Sequence, residues 1–561
     1  MKVRPTGAPV VGALAATALL AACSGGGGDD AGPPPDPWWI TAGPGMDLPA
    51  DDEDGSRFLT QATFGPNESE MTGLAYAGFD AWFEYQLDVA PSLHRPRLLA
   101  RITAGENVLQ NQRQEEWWYA SVRGPDQLRQ RMAFALSEIM VISDAAGALK
   151  NQVLGVSEYY DVLVRGALGN YRDLLEDVTK SPAMGVYLSH LKNQKGDPVT
   201  GIRPDENYAR EIMQLFSIGL VELEADGTVR LDGSNQPIPT YDQADIEELA
   251  RVMTGWSYAG ATNWNFPQAN FLAPMEPWEE YHDADAKTIV TGALIPAGLT
   301  AEEDLDAALD VLFNHPNTGP FISRRLIQRL VTSNPSPAYV GRVAAVFADD
   351  GEGVRGNLAA VARAILMDDE ARNGHLAAPT TFGKVREPLI RLAGLWRAFD
   401  AGAATGRFRY WNPQNDFGQA ALRAPTVFNF FEPDYAPPGP VADADLVGPE
   451  FQITTHTTVT TVANEWRDRI LRAYPGFGSA NQDTVTLNLT DELALADDPA
   501  ALIDHLDLLL MGGQMSNDMR QTLINHVTGV DIDAGNKADG MQRVIDAIYL
   551  IVTSPEGSIQ R

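Results

Sequence analysis

The sequence predicts a mainly α-helical protein: a large multi-helix globular body with long loops and at most a small β-hairpin. Three observations carry this. Apolar residues recur at i, i+3 and i+4 through most of the chain beyond Ser56. Runs that alternate apolar and polar residues are few and short. Pro, Gly, Asn and Asp gather between the periodic stretches, where they end helices and make loops. With 561 residues, 44% of them hydrophobic, the chain can build a sizeable core. Residues 56–561 read as one large helical unit or two closely packed subdomains.

Taken in order, residues 1–22 have the layout of a signal peptide. Lys2 and Arg4 precede an apolar, small-residue run from Ala8 to Leu20, with a short h-region rather than a membrane span. Leu20-Ala21-Ala22-Cys23 resembles the bacterial lipobox, which implies cleavage before Cys23 and lipid attached to it. Ser24 resembles the pattern that lets a lipoprotein reach the outer membrane. The expectation is an exported protein, lipid-anchored in the bacterial cell envelope at the outer membrane, with the bilayer as a partner. Residues 23–55 form a flexible Gly/Pro tether, with Trp38 and Trp39 placed to dock it.

The folded body starts near Ser56. Arg57 to Pro66 is a short helix stopped by Gly65-Pro66, and Gly78 to Leu87 is a second. Pro125 to Val141 is a helix with apolar positions 128, 132, 135, 136 and 139. Tyr159 to Leu168, Tyr171 to Val178 and a short helix from Ser181 follow. Pro204 to Gly219 is a helix with Asp205 at its N-cap, Gly219 at its end, and a buried stripe of Tyr208, Ile212, Leu215 and Phe216. Val221 to Pro239 is turn-rich and reads as the hairpin. Helices follow from Thr240 to Met253, and then over 302–315, 321–331, 339–347, 358–367 and 388–399. The stretch 417–440 holds too many prolines for a regular element, and the last 110 residues return to helices.

Charge and cysteine content exclude several functions. There are 75 acidic residues against 42 basic ones, a net charge of −33 that repels nucleic acid. Cys23 is the single cysteine, so the chain has no intramolecular disulfide, no thiolate-bound metal cluster and no c-type haem. Neither standard phosphate-binding glycine loop occurs.

The best candidate for chemistry is the helix after Pro204. Glu206 with Arg210 and Asn207 with Glu211 stand at i,i+4 spacing beside its apolar stripe. Glu206, Arg210, Glu211 and His282 are the catalytic candidates. Glu211, His282 and Asp283, with Asp285 beside them, are the metal candidates, because carboxylates and one imidazole suit a divalent cation. The same spacing is accounted for by a cap and ion pairs. His-Glu-x-x-His is absent, and Asp283-Ala284-Asp285-Ala286-Lys287 breaks the calcium-loop pattern. Gly255-Trp256-Ser257-Tyr258-Ala259 lacks the last glycine of a nucleophile elbow, and a helix precedes it where a strand is needed. Ser189-His190-Leu191-Lys192 matches a Ser-x-x-Lys pattern without its companions. Loop aromatics Trp256, Trp264, Trp278 and Tyr410-Trp411, with Arg407 and Arg409, could bind a sugar or partner, or could plug loops.

Several motifs occur together in one order. They are Arg57 to Pro66, Pro125 to Val141, Pro204-Asp205-Glu206-Asn207-Tyr208-Ala209-Arg210-Glu211, Thr254-Gly255-Trp256 and Pro425-Thr426-Val427-Phe428-Asn429-Phe430, closed by Ser554-Pro555-Glu556 to Arg561. This set resembles the bacterial family called domain of unknown function 1800, over residues 56 to 561. The resemblance implies an exported protein and assigns no activity. It also implies a candidate partner, an exported phosphatase- or sulfatase-like protein of the family called domain of unknown function 1501. Two functions remain open: a cell-envelope binding or partner-assisting component, and an extracytoplasmic metal-dependent or other hydrolase using the Glu206/Glu211 helix and the His282 loop.

Overall fold

Most backbone hydrogen bonds close within helices, as a chain rich in helical periodicity and poor in strand signals requires. The computed structural model describes residues 37–145, 147–471, 481–530 and 540–561. The expected signal peptide, Cys23 and the expected tether up to residue 36 lie outside the described residues.

The first helices are α1 (Trp38–Ala42), α2 (Asp52–Ala62) and α3 (Glu68–Asp88). Order therefore begins ahead of Ser56, inside the stretch expected to be tether. Trp38 stacks on Tyr85 with ring centroids 5.5 Å apart. Asp47 accepts from the Asp80 N–H at 2.6 Å. Asp51 caps α2 by accepting from the Asp54 N–H at 2.8 Å. Gly78 breaks α3 into two parts with φ of 83°.

Next come α4 (His94–Thr103), α5 (Gln110–Arg123), α6 (Gln127–Ser137), α7 (Val153–Gly166), α8 (Tyr171–Lys180) and α9 (Pro182–Tyr187). Then α10 (Asn207–Gln214) and α11 (Gln243–Val252) are separated by the turn-rich segment, where isolated bridges Leu223↔Val229 and Leu231↔Pro237 close two successive turns and Val221↔Pro239 joins their ends, in place of the single expected hairpin. The helix after Pro204 is shorter than the sequence suggests. It begins at Asn207, with the Asp205 carboxylate still accepting from the Asn207 N–H at 2.9 Å, and the chain turns at Gly219 with φ of 72°.

The remaining helices are α12 (Ala301–Asn314), α13 (Thr318–Leu330), α14 (Pro337–Ala348), α15 (Leu358–Met367), α16 (Asp369–Ala377), α17 (Pro388–Ala398), α18 (Pro413–Asp416), α19 (Pro440–Asp443), α20 (His456–Leu471), α21 (Thr490–Ala494), α22 (Pro499–Met511), α23 (Asn517–Thr528) and α24 (Met541–Thr553). The strand content exceeds one hairpin. Among the described residues three two-stranded antiparallel pairs form: β1 (Trp256–Ser257) with β2 (Glu276–Pro277), β3 (Lys287–Ile289) with β4 (Ala293–Ile295), and β5 (Lys384–Val385) with β6 (Ile559–Gln560). The last joins segments far apart in sequence, with Lys384 opposite Gln560.

The buried apolar side chains form one contiguous cluster from Phe58 to Val552. Helix α6 runs through it. Leu128, Met132, Ala133, Ala135 and Leu136 have no exposed surface, and Gln127, Gln130 and Arg131 on the same helix are equally buried. A helix apolar on more than one face, with charge added, places polar groups in the core where they must find partners.

Candidate functional site

The residues singled out from the sequence fall in two places. Glu206 accepts from Arg210 at 3.2 Å and from Gln243, on the first turn of α11, at 2.9 Å. Arg210 and Glu206 are both more than a third exposed, so their pair adds little to stability. Glu211 does not bond to Asn207. Its Oε2 is buried without a hydrogen-bond partner. Burial raises its pKa, with Arg210 opposing.

His282 is buried at the other end of α11. Its Nδ1 faces the Thr254 carbonyl at 3.0 Å and its Nε2 faces Asp304 Oδ2 at 3.1 Å. Both ring nitrogens are thus engaged by oxygen atoms of the protein itself. The Lys287 ammonium pairs with the same Asp304 oxygen and donates to the carbonyls of Asp283 and Asp285. Asp283 is forked by Arg251, with Nε at 2.8 Å and Nη2 at 3.1 Å. Burial pushes the Asp283 pKa up, but the Arg251 contacts outweigh it and hold it low. The Asp285 side chain is exposed. Gln243 and Arg251 are eight residues apart on α11, so the two groups of candidates meet the helix about 12 Å apart at 1.5 Å per residue. Among the described residues no group of three or more His, Cys, Asp and Glu side chains is placed to hold a metal ion.

The other sequence candidates are structural in their surroundings. Ser257 sits in β1 after a helix, fully buried, with its hydroxyl unbonded. Lys192 donates to the Asn265 carbonyl at 3.0 Å. Trp256, Trp264 and Tyr410 are buried, and Trp264 stacks on Tyr281 with centroids 4.1 Å apart. Arg407 and Trp411 are both tied to Glu115 at 2.8 Å. Trp278 and Trp411 are half-buried.

Sequence reasoning missed a buried charged centre. Glu138 follows α6, Arg131 lies within it, Arg329 is on α13, Lys384 is in β5 and Glu387 precedes α17. Gln419, Asn429 and Glu450 come from the irregular region before α20. All eight are buried. The Gln419 amide donates to Glu387 at 2.5 Å and to Glu138 at 3.2 Å. Asn429 donates to Glu138 at 3.2 Å. Arg329 stands 3.6 Å from Glu138, and Lys384 stands 2.9 Å from Glu450 and 3.8 Å from Glu387. Arg131 and Lys384 both donate to the Arg329 carbonyl, at 2.6 and 2.9 Å. Burial and the adjacent Glu387 raise the pKa of Glu138. Burial also pushes Glu387 upward, but Lys384, Arg329 and Arg131 overcome it and hold Glu387 low. The two carboxyls are thus shifted in opposite directions, which favours the neutral form of Glu138 beside the charged form of Glu387. The sequence signal was Arg131 and Glu138 inside an otherwise apolar helix pattern.

Glu450 also lines a cleft of about 130 Å³ between α17, α20 and α24. Its walls include Arg386, Arg391, Phe417, Val462, Trp466 and Val552. Three polar atoms of this lining have no hydrogen bond: Glu450 Oε2, Arg386 Nε and Trp466 Nε1. Such a site can fix a small molecule by a few convergent polar groups on an apolar body.

No curated protein and no solved structure matches the chain. The family described as "Protein of unknown function (DUF1800)" matches residues 57–558, a stretch that contains the α10 helix, the His282 loop, the buried centre and the whole lining of the cleft. By that match, which takes in nearly all of the described structure, the chain belongs to the DUF1800 family.

Proposed function

We propose that this protein is an exported lipoprotein of the bacterial cell envelope, held at the outer membrane through Cys23, and that it acts by binding a ligand in the cleft between α17, α20 and α24. The observation that supports binding is the set of polar atoms in the cleft that the fold leaves without partners. Buried polar atoms are normally satisfied, and leaving one unmade costs about 1–3 kcal/mol. Three around one space favour a ligand that completes them. The alternative, a metal-dependent or other hydrolase built on Glu206, Glu211 and His282, would have to work with members bonded to opposite ends of α11.

Two experiments test the proposal. Palmitate labelling and membrane fractionation should find the protein acylated and membrane-bound, and Cys23→Ser should abolish both. Native mass spectrometry of protein released from its own envelope should show a small-molecule adduct. Val459→Trp, at a 57% exposed position on the cleft rim, should remove it without unfolding the chain. Wild type and Val459→Trp with identical adduct-free spectra would overturn the binding proposal.

A further inference from the structure

The lining of the cleft carries enough chemistry to name a class of ligand. The cations come first. Arg386 donates from Nη2 to the carbonyls of Leu510 and Gly557 at 2.8 Å each, and Arg391 donates to the carbonyl of Val552. These acceptors lie at or just beyond the ends of α22 and α24, so both guanidiniums have a structural use. Among the described residues neither has a carboxylate acting on it. Burial lowers both pKa values, and Arg386 further lowers that of Arg391. In a chain of net charge −33, two neighbouring arginines without counter-charge are an exception. An anion between them would offset the repulsion and make charge-assisted hydrogen bonds.

The opposite requirement stands on the floor. Glu450 gives Oε1 to Lys384 at 2.9 Å, and its Oε2 has no donor. Glu450 and Trp466 are each 1% exposed, and both belong to the lining of the cleft. Between the charges the wall is apolar, with Phe417, Val462 and the Trp466 ring. The space of about 130 Å³ is close to the ~150 Å³ of a cavity that takes a benzene ring. The ligand must therefore bring an anionic head, an apolar group about the size of a ring or branched chain, and an N–H donor near the head.

We propose that the cleft binds the α-carboxylate end of an apolar amino-acid residue. The carboxylate lies between Arg386 and Arg391, the side chain lies against Phe417, Val462 and Trp466, and the amino or amide N–H is held by Glu450. This assignment rests on the cleft-binding function proposed above. A neutral apolar molecule would leave both guanidiniums uncompensated. Inorganic phosphate would bring more charge toward Glu450 and nothing for the apolar wall. A free amino acid and the last residue of a peptide present the same three groups, and they differ at nitrogen. An ammonium would form an ion pair with Glu450, whereas an amide gives a hydrogen bond alone.

The test is calorimetric titration of the full lipidated protein in detergent with L-phenylalanine, N-acetyl-L-phenylalanine and their carboxamides. The acids should bind, and blocking the carboxylate should weaken binding about tenfold or more, the size of one lost charge-assisted contact. Arg391→Gln should weaken the acids to a similar degree, and Val459→Trp should abolish binding with an unchanged melting temperature. Tighter binding of the free amino acid identifies that source, and tighter binding of the N-acetyl acid identifies a peptide end. Equal affinity for acid and carboxamide would overturn the proposal. That comparison uses the unaltered protein, so it stands even where Arg391→Gln fails to fold. Absence of binding by every probe at millimolar concentration would also overturn it. A native adduct removed by Val459→Trp would then leave the cleft a binding site for some other ligand.

Discussion

Replacing Asp304 by Asn should destabilise the region around His282 by about 3 kcal/mol, at the lower end of the range for breaking a buried ion pair. The reasoning is local. Asp304 and Lys287 are each 1% exposed. One oxygen of Asp304 receives both the Lys287 ammonium and His282 Nε2. Asparagine keeps the shape and one acceptor but removes the charge, leaving the ammonium with the neutral carbonyls of Asp283 and Asp285. Those two remaining bonds are the reason for choosing the lower end of the range. Removing both charges, in Asp304→Leu with Lys287→Met, should cost less than Asp304→Asn alone, because no unpaired charge is left inside. A chain of this length need not unfold as one unit, so the assay is hydrogen exchange of amides in β3, β4 and α12. An opening made easier by about 3 kcal/mol speeds exchange roughly a hundredfold. Exchange in Asp304→Asn within a few-fold of wild type would refute the assignment of Asp304 as the anchor of this loop. A double variant as labile as the single one would refute the charge argument.

Burial lowers the His94 pKa to about 3, with neighbouring Arg113 and Arg97 adding to it, and lowers the His190 pKa to about 4 against an opposing bond to Thr179. Each group's folded pKa is depressed, so each contributes stability above the unfolded value near 6.5 that is lost as pH falls toward the folded value. Between pH 7 and 4.5 the loss is about 2.5 kcal/mol per histidine, and His94→Phe should remove about that much of the acid slope in urea midpoints. Glu387→Gln should cost about 3–5 kcal/mol, because Lys384, Arg329 and Arg131 lose their shared anion. Glu138→Gln should cost about 1 kcal/mol or less near neutral pH, since the raised pKa of Glu138 already keeps it protonated there. A raised folded pKa contributes stability that is present below the unfolded value of 4.5 and is lost as pH rises from there to the folded value of about 8, so Glu138→Gln should also flatten the decline of melting temperature across that window. Gly255→Ala should destabilise by about 2–4 kcal/mol in thermal melts, since a Cβ there would lie 2.8 Å from His282 Cβ on a backbone with φ of 84°.

Helices were legible because their signals are local. Of the expected apolar stripe, Tyr208, Ile212 and Phe216 are buried and Leu215 is half-buried, and Gly219 takes the positive φ that ends the segment. Leu358–Met367 has the same bounds in sequence and structure. What was missed depends on contacts between distant segments. Nothing near Lys384 announces Gln560 as its strand partner. Helix α16 follows α15 after Asp368, and that one-residue break gives no change of period to read. The buried centre draws Glu138, Glu387 and Asn429 from positions separated by up to 291 residues, and spacing in sequence has no bearing on such a meeting. The α10 and His282 groups fail to converge for the same kind of reason. Each was a sound local reading, as was the helix from Thr240 to Met253, but that this helix holds the two groups at opposite ends is decided by tertiary structure.

The cleft and the buried centre share one short segment, residues 384–388, and the local chemistry of that segment explains why they coexist. Pro388 opens α17 and keeps Glu387 extended, with φ of −58° and ψ of 140°, so Glu387 cannot be drawn into the helix. Lys384 is held from the other side by its pairing with Gln560. Between them the chain sends Lys384 and Glu387 into the centre and leaves Arg386 on the wall of the cleft. Lys384 then reaches Glu450 and offsets the cost of burying that carboxylate at the cleft floor. It occupies only one of the two oxygens. Arg386 receives no carboxylate in return, because the nearest acid in the chain, Glu387, is already committed to Lys384, Arg329 and Arg131. The centre thus uses up local counter-charge and leaves the cleft with a cationic wall and an anionic floor. For the binding proposed above, that separation favours a ligand that carries both signs, or an anion beside a donor, over any ligand of one sign.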